Sequence, residues 1–217
     1  MKNNTRYIPK IGERVEFAAR FVPKVKKLLD IGCGDGVISN FLKGKVDEIY
    51  GIDNSSENLE IAKKYGILTS KIDLDKEKTF YKNDFFDVIT CLDVIEHIKD
   101  PQKLIEEIKR ILCINGLLII STPNIRFSNH LFQLIFKGRF PKTSLDPALY
   151  DGGHIHFFTY KDLEELLIIN GFKIERTEGI INKRHRGWKG KLIEIILGTR
   201  IMHEFRSPGI LIIARKI

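Results

Sequence analysis

The chain has 217 residues, of which 43% are hydrophobic and 29% charged, and its formal net charge is +8. This size and composition are typical of a globular protein with room for one well-buried α/β domain. No apolar run approaches the length of a bilayer span, the first residues lack the apolar core of a signal peptide, and the three cysteines have neither disulfide nor metal spacing. We therefore expect no transmembrane segment and predict a cytoplasmic protein with reduced thiols.

The positive charge is concentrated in the second half of the chain. Residues 1–120 contain 20 Lys and Arg against 19 Asp and Glu, whereas residues 121–217 contain 16 against 9. This imbalance indicates either an anionic partner (a phosphorylated or carboxylated substrate, a membrane surface or nucleic acid) or simply a solvated basic surface. The charge alone favours neither interpretation.

The predicted elements of the first half alternate between strand and helix. In chain order they are a strand at 25–31, a short helix from Gly36, a strand at 47–53, a helix from Ser55 or Ser56 to Gly66, and strands at 67–73 and 86–92. The next helix carries the clearest signals, because Asp100 can cap it and Pro101 fits its first position. We expect it to end at Asn115-Gly116. Its predicted apolar face comprises Leu104, Ile105, Ile108, Ile111 and Leu112.

The same pattern continues in the second half. A strand is predicted at 116–122, and a later helix begins with the capping-box pattern of Thr159 and Asp162 and ends at Gly171. The last two predicted strands are 172–180 and 209–217. Continuous apolar strands that alternate with helices predict an α/β fold with a mostly parallel sheet, covered by helices on both faces.

Two long segments, 124–158 and 181–207, interrupt this alternation. The first contains NHLFQLIFKGRF, in which Lys137 and Arg139 follow a run of apolar residues. It can form a lid on an apolar substrate, an interfacial helix on anionic lipid, or part of the core. The second contains the basic NKRHRGWKGK. Insertions at the loops of a rigid sheet usually determine specificity, so we expect an acceptor site there.

A glycine-rich loop follows the first predicted strand, in LLDIGCGDGVISNFL (28–42). Asp30 stands two residues before Gly32, and Gly34 and Gly36 follow at alternate positions. A loop that leaves the carboxyl end of a strand and enters a helix N-terminus favours an anionic ligand group close to the backbone. The spacing D-x-G-x-G-x-G departs from the G-x-G-x-x-G of dinucleotide-binding proteins, which argues against a nicotinamide oxidoreductase.

This loop resembles the first motif of the class I S-adenosylmethionine-dependent methyltransferases. The stretches IYGID, KIDLD and FDVITCLDVIEHIKDP resemble that family's later motifs in the same order, and CLDVIEHI and GGHIHFFT resemble its small-molecule branch, which includes quinone-biosynthesis O-methyltransferases. The resemblance implies a Rossmann-like, seven-stranded, mostly parallel sheet with an antiparallel last strand. It also implies S-adenosyl-L-methionine as cofactor and S-adenosyl-L-homocysteine as product.

The resemblance further implies which residues bind the cofactor. Asp53 would accept hydrogen bonds from both ribose hydroxyls, Asp73 and the Leu74 backbone would lie near the adenine, and Leu92 and Asp93 would lie beside the methionine part. The full predicted set is Asp30, Gly32, Cys33, Gly34, Gly36, Asp53, Asn54, Asp73, Leu74, Leu92 and Asp93. Residues 1–217 would form a single methyltransferase domain, in which residues 1–24 cover the cofactor.

Three histidines are candidates for the acceptor site. His97 follows the fourth strand and can take a proton from a hydroxyl, whereas His154 and His156 alternate on an extended segment. No third ligand is evident beside that pair, so we predict no metal.

The predicted reaction transfers a methyl group to a small-molecule oxygen nucleophile, such as a quinone precursor, a sugar or a lipid-linked intermediate. Methylation of RNA or protein through the basic half, peripheral membrane contact, and a non-catalytic cofactor-binding or scaffold role stay open as alternatives.

Overall fold

The structure is a computed structural model that describes residues 11–144, 150–180 and 204–217, with side chains from residue 14 onward. Six helices lie wholly within the described residues: α1 (Ile11–Ala19), α2 (Ser39–Leu42), α3 (Ser56–Lys64), α4 (Pro101–Ile111), α5 (Ser128–Lys137) and α6 (Tyr160–Ile169). Residues 204–206 are also helical. Seven strands are described: β1 (Val25–Ile31), β2 (Val46–Asp53), β3 (Leu68–Lys71), β4 (Phe86–Leu92), β5 (Leu112–Pro123), β6 (Phe172–Gly179) and β7 (Gly209–Lys216). Short 3₁₀ turns lie at Ile95–His97 and Tyr150–Gly153.

The seven strands form one sheet in the order β3-β2-β1-β4-β5-β7-β6. Neighbours among the first five strands pair in parallel, whereas β7 runs antiparallel to both β5 and β6. The predicted seven-stranded, mostly parallel sheet with an antiparallel last strand is therefore confirmed. The chain winds outward from β1 to β3 and then returns to β4 on the other side of β1. A switch of this kind opens a crevice at the carboxyl ends of β1 and β4.

Helices cover both faces of the sheet, because the strands are apolar on both sides. Leu29 of β1 belongs to a buried cluster with α4 and α6, whereas its neighbour Leu28 belongs to a second cluster with α1 and α2. Successive side chains of a strand point to opposite faces of the sheet, so one apolar strand packs against the helices on both faces. None of the described helices is long and apolar enough to cross a bilayer.

The caps predicted for two helices are present. The Asp100 side chain accepts a hydrogen bond from the Lys103 amide, and Thr159 and Asp162 form the reciprocal capping box of α6. Each cap satisfies amides that have no partner inside the helix, which fixes where α4 and α6 begin.

The predicted end of α4 is wrong. The helix ends at Ile111, and Leu112 turns extended and pairs with Phe86, so it belongs to β5 rather than to the helix face. Asn115, with φ +62°, and Gly116 lie at a register shift inside the strand and not at a helix end. Strand pairing with a distant segment overrides the local helical pattern here.

The helix predicted from Gly36 is also shorter than expected. Tight turns follow this glycine, with the Gly36 carbonyl accepting the Ser39 amide at 3.1 Å and the Ser39 hydroxyl at 2.9 Å. The regular helix α2 therefore begins only at Ser39. In the two predicted insertions, the structure describes α5 within the first; residues 181–203 of the second, like residues 1–10, lie outside the described part.

Gly36 allows the loop to pack closely on α3. Its φ is +81°, and a Cβ there would lie 2.7 Å from Ile67 Cδ1 and 3.0 Å from the backbone Cα of Ala62. Gly44 has a similar φ of +77°, but a Cβ there would meet nothing within 4 Å. These two glycines separate backbone strain from steric overlap.

We expect Gly36→Ala to lower the free energy of unfolding by about 1–3 kcal/mol more than Gly44→Ala, because only the first adds overpacking to the positive-φ strain of about 1–2 kcal/mol. Urea unfolding of both variants measures this difference. Equal losses would mean that the contact with α3 relaxes freely.

Candidate active site

A cavity of about 590 Å³ lies at the carboxyl ends of β1 and β4, where the strand order reverses. Six of the residues predicted from the sequence line it: Asp30, Gly32, Cys33, Gly34, Leu92 and Asp93. The structure adds six that the sequence analysis did not single out: Arg14, Val15, Asp35, Val37, Ile38 and Asn58. Gly36, the last glycine of the loop, is buried and does not line this cavity, and Asn54 is exposed beyond the end of β2.

The glycine loop presents an open backbone surface to the cavity. Gly34 has φ +50°, and a Cβ at this position would meet no atom within 4 Å. The amides of Gly32 and Cys33 both donate to the Ile52 carbonyl, at 2.8 and 3.1 Å, which fastens the loop to β2. A ligand can therefore approach the Gly34 backbone directly, and the surrounding loop is held in place.

Asp53 holds the loop from the end of β2. Its Oδ2 accepts a hydrogen bond from the Gly34 amide at 3.0 Å, and its Oδ1 accepts one from the Ser55 amide at 2.8 Å. Each carboxylate oxygen has a second lone pair, so both can accept a further donor. The side chain is thus oriented beside the glycine loop and retains capacity for two ligand hydroxyls.

Asp30 is a buried acid in the cavity wall. Its pKa is raised from the ordinary value of 3.8 to about 7: burial is the largest cause, a 2.6 Å hydrogen bond from the Thr90 hydroxyl opposes the rise, and the charge of Asp53 contributes to it. Near neutral pH the carboxyl lies close to its titration point. A cationic ligand group beside it would favour the charged form, so this wall is suited to a positive charge.

Cys33 is a wall residue rather than a nucleophile. The pKa of its thiol is raised to about 12, chiefly by burial, with contributions from the charges of Asp30 and Asp53. A thiol of that kind stays neutral at physiological pH and packs as a small apolar group.

The N-terminal helix reaches across to the loop after β4. Arg14 of α1 forms an ion pair with Asp93, and together with Val15 it lines the cavity. Asp93 has φ +56°, its amide donates to the Ser121 carbonyl at 3.0 Å, and the Ser121 hydroxyl donates to its Oδ1 at 3.1 Å. Two residues of the segment predicted to cover the cofactor thus line the cavity, and the cover itself stays a prediction.

Glu96, His97 and His154 converge near the same loop. Glu96 is only 1% exposed, its Oε2 accepts a hydrogen bond from the Thr122 hydroxyl at 3.1 Å, and the rings of His97 and His154 lie 4.6 Å apart. The backbone carbonyl of Glu96 accepts the amides of Ile155 and His156, which ties the 150–158 segment to the loop. Burial, and then the charge of Asp93, raises the pKa of Glu96 well above its usual range.

The two histidines of the HIH stretch have different surroundings. Burial, and then the charge of His97, lowers the pKa of His154, which favours a neutral imidazole. His156 lies apart, with its Nε2 3.3 Å from the Lys99 carbonyl. The sequence analysis found no third ligand beside His154 and His156. The structure instead brings His154 together with Glu96 and His97, with one potential ligand atom of each within 4.8 Å of the others. The absence of a metal stays a prediction.

The predicted adenine contacts lie outside this cavity. Asp73 is partly exposed and forms an ion pair with Lys76 at 2.6 Å, which lowers its pKa. Leu74 lines a separate cavity of about 370 Å³ together with Glu107 and Arg110. The structure therefore does not bring these two residues to the glycine loop, and their contact with adenine stays a prediction.

Comparison with known proteins identifies a matching family and several relatives. The sequence profile of the family described as methionine biosynthesis protein MetW matches residues 13–204. The chain is 34% identical over 119 residues to a ubiquinone biosynthesis O-methyltransferase of Haemophilus ducreyi, which covers 51% of this chain and 50% of that protein. The protein of the same name from Psychrobacter arcticus is 25% identical over 181 residues, covering 78% of this chain and 68% of that protein.

The structure is also similar to solved structures. An S-adenosylmethionine-dependent methyltransferase from Archaeoglobus fulgidus superposes with a TM-score of 0.68 at 17% identity, covering 95% of this chain and 93% of that one. At such identity the likeness concerns the fold alone. The chain spans about half the length of the Haemophilus relative.

Proposed function

Because the chain belongs to the family described as methionine biosynthesis protein MetW, within the class I S-adenosylmethionine-dependent methyltransferases, we propose that it methylates an oxygen nucleophile of a small-molecule acceptor. The relatives' names confirm the predicted methyltransferase family and imply the predicted cofactor, S-adenosylmethionine. The observation that carries the proposal is the cavity at the carboxyl ends of β1 and β4, bounded by the glycine loop and Asp30.

The cavity walls match the parts of this cofactor, together with Asp53, which does not line the cavity but is hydrogen-bonded to the Gly34 amide in its wall. Asp53 has a free lone pair on each oxygen for the two ribose hydroxyls, and the open face of Gly34 admits the ligand to the backbone. Asp30 faces the cationic methionine end, and its carboxyl is then held in the charged form. Leu92 and Asp93 line the same region. When bound, S-adenosylmethionine supplies a methyl group on a sulfonium, which is a strong electrophile.

The chain's part in the chemistry is mainly alignment. Holding the acceptor oxygen in line with the methyl group supplies on the order of 7–11 kcal/mol of barrier reduction. We propose that His97 or His154, whose rings lie 4.6 Å apart beside the loop after β4, accepts the acceptor's hydroxyl proton. Arg14 and Val15 of α1 line the cavity, and we propose that they restrict the entry of water, which favours a transition state with dispersed charge.

We propose a quinone precursor or lipid-linked intermediate as the acceptor class. The name of the two relatives, ubiquinone biosynthesis O-methyltransferase, supports an aromatic hydroxyl. The exposed apolar side chains of α5, including Phe132, Ile135 and Phe136, supply a surface for an apolar tail. The family description connects the chain to methionine biosynthesis instead, so a small polar hydroxyl compound is the second candidate. The cytoplasmic location stays a prediction.

Formation of S-adenosylhomocysteine with a panel of acceptors tests this proposal. The panel contains a catechol, the same catechol with a prenyl tail, a hydroxylated amino acid, and a short RNA at low salt. We expect product with a hydroxyl compound and none with RNA. Tight cofactor binding without turnover on any acceptor would instead support a non-catalytic cofactor-binding protein.

Asp53→Ala is expected to weaken S-adenosylhomocysteine binding by about 2–3 kcal/mol, or roughly 30–150-fold, because two hydrogen bonds to a charged group are lost. Asp87→Ala is the matched control. This carboxylate also accepts two backbone amides, from Lys26 and Lys27, but it lies at the opposite end of the sheet. Calorimetry of both variants provides the comparison. Equal affinities for the cofactor product would rule out the ribose role of Asp53.

A further inference from the structure

Strand β3 forms one edge of the sheet. It pairs with β2 on one side, and none of the described strands pairs with its other side. The amide of Ile72, which directly follows β3, donates to the Asp53 carbonyl at 3.1 Å. Because successive amides of a strand alternate between its two sides, those of Thr69 and Lys71 face away from β2. The outer side of β3 therefore offers backbone hydrogen-bond groups to a further strand.

Two large apolar side chains are exposed beside this edge. Leu68 and Phe80 expose 50% and 70% of their surfaces. Leu68 pairs with Tyr50 of β2, and the Tyr50 ring lies 5.9 Å from that of Tyr81. The Tyr81 ring in turn lies 4.7 Å from that of Phe80. Paired residues share one face of a sheet, so Leu68 and Phe80 border the same part of that face. We call these two side chains and the outer backbone of β3 the β3 surface.

The opposite edge of the sheet, β6, is built differently. All three of its exposed residues, Lys173, Glu175 and Arg176, are charged. Charged side chains on an edge strand discourage the addition of another strand. In β3 the two exposed residues are Leu68 and Lys71, so this edge combines an apolar contact with a positive charge. Of the two edges, β3 is the one suited to strand addition.

Exposed lysines surround the β3 surface. Lys71 lies in β3 itself, Lys64 is the last residue of α3, and Lys82 follows Phe80 by two residues. The wider segment 63–82 contains six lysines against three acids. The surface is therefore bordered by an excess of positive charge.

The three acids of this segment are already engaged within the chain. Asp73 forms an ion pair with Lys76 at 2.6 Å. Asp75 and Glu77 each accept a hydrogen bond from a backbone amide. Two copies of the β3 surface would bring the lysines of both chains together, which is unfavourable, whereas an acidic segment would complement them.

We propose that the β3 surface binds an extended acidic segment of another protein, which adds to the sheet as a further strand. The backbone of this segment pairs with the outward amides of Thr69 and Lys71, and its apolar side chains contact Leu68 and Phe80. Its acidic side chains lie near the lysines. None of these four residues lines the glycine-loop cavity, so this inference does not rest on the proposed function.

The test is the binding of a fluorescent peptide of alternating glutamate and valine to the full chain, measured by fluorescence anisotropy. We expect saturable binding that weakens as the salt concentration rises, and no binding when lysine replaces glutamate in the peptide. Leu68→Ser and Phe80→Ser should each weaken binding at least about 5-fold. Ile114→Ser is the control, because it replaces a side chain that is 68% exposed on β5, and it should bind as the unmodified chain does.

Two substitutions of one residue test the backbone contact. Thr69→Pro removes an outward amide and no bond to β2, so it should prevent binding of the peptide. Thr69→Val keeps the amide and the shape of the side chain, and the Thr69 Oγ1 has no hydrogen-bond partner among the described residues. This variant should therefore bind as the unmodified chain does. Circular dichroism and thermal melting identify any variant that does not fold.

Failure of the unmodified chain to bind the acidic peptide would overturn the proposal, as would equal binding of the lysine peptide or unchanged binding in both Leu68→Ser and Phe80→Ser. Light scattering tests a second copy as the occupant: a dimer that Leu68→Ser dissociates would also overturn it. Binding of S-adenosylhomocysteine without binding of the peptide would remove this inference alone and leave the proposed function intact.

Discussion

Asp30→Asn is expected to make the ligand-free protein more stable at pH 8 than the unmodified chain, and at the same time to weaken its binding of S-adenosylmethionine. The carboxyl is buried, and its pKa rises from the ordinary value of 3.8 to about 7. The folded state therefore holds this proton more tightly than the unfolded state does. Between about pH 4 and 7 folding takes up a proton, so the free energy of unfolding falls as the pH rises.

The size of the effect follows from the shift. Each pKa unit corresponds to about 1.4 kcal/mol, so the cost of the charged Asp30 at pH 8 reaches at most about 4 kcal/mol. Asparagine does not titrate, and its side-chain oxygen can still accept the hydrogen bond from Thr90. Urea unfolding at pH 5 and pH 8 measures the change, with the exposed Asp47→Asn as control. A pH dependence of stability that is identical in Asp30→Asn and the unmodified chain would contradict the assignment.

Cofactor affinity should change in the opposite direction. The sulfonium and ammonium groups of S-adenosylmethionine would lie against a neutral amide instead of a carboxylate, and a charge-assisted contact is lost. A variant that is more stable but binds S-adenosylmethionine less tightly would show that the buried acid lowers the stability of the protein and raises its affinity for the cofactor. A stabilised variant with full affinity would place the cationic end of the cofactor elsewhere.

His97→Ala is expected to lower turnover by about 10²–10⁴-fold on the acceptor that gives the highest activity, with little change in the dissociation constant of S-adenosylhomocysteine. The imidazole contacts the 150–158 segment rather than the cofactor cavity, through its 3.3 Å contact with the Gly153 carbonyl. Comparison of kcat with calorimetry separates the two effects. A variant with full turnover would exclude His97 from the reaction.

Local signals in the sequence were sufficient for most of the fold. The caps at Asp100 and Thr159 depend on neighbours within four residues, and both helices begin as predicted. The end of α4 was missed because Leu112 is held by Phe86, a residue distant in sequence, and no local pattern encodes that pairing. Propensity is a weak guide wherever a strand partner competes for the same residue.

In the candidate site, too, local motifs were evident from the sequence, whereas contacts between distant residues were not. The D-x-G-x-G-x-G loop and Asp53 are local motifs, and they indicated the cavity and its cofactor from the sequence. The ion pair of Arg14 with Asp93 joins residues 79 positions apart, and Glu96 meets His154 across the whole of α4, β5 and α5. Such contacts follow from the winding of the chain around the sheet, so only the folded structure reveals them.

Calorimetry of the purified chain with S-adenosylmethionine, S-adenosylhomocysteine and NADH tests the central claim most directly. We predict binding of the first two in the micromolar range and no heat with NADH, because the glycine spacing and Asp53 suit one cofactor and not the other. Binding of NADH, or of none of the three, would contradict the assignment of the glycine-loop cavity to S-adenosylmethionine.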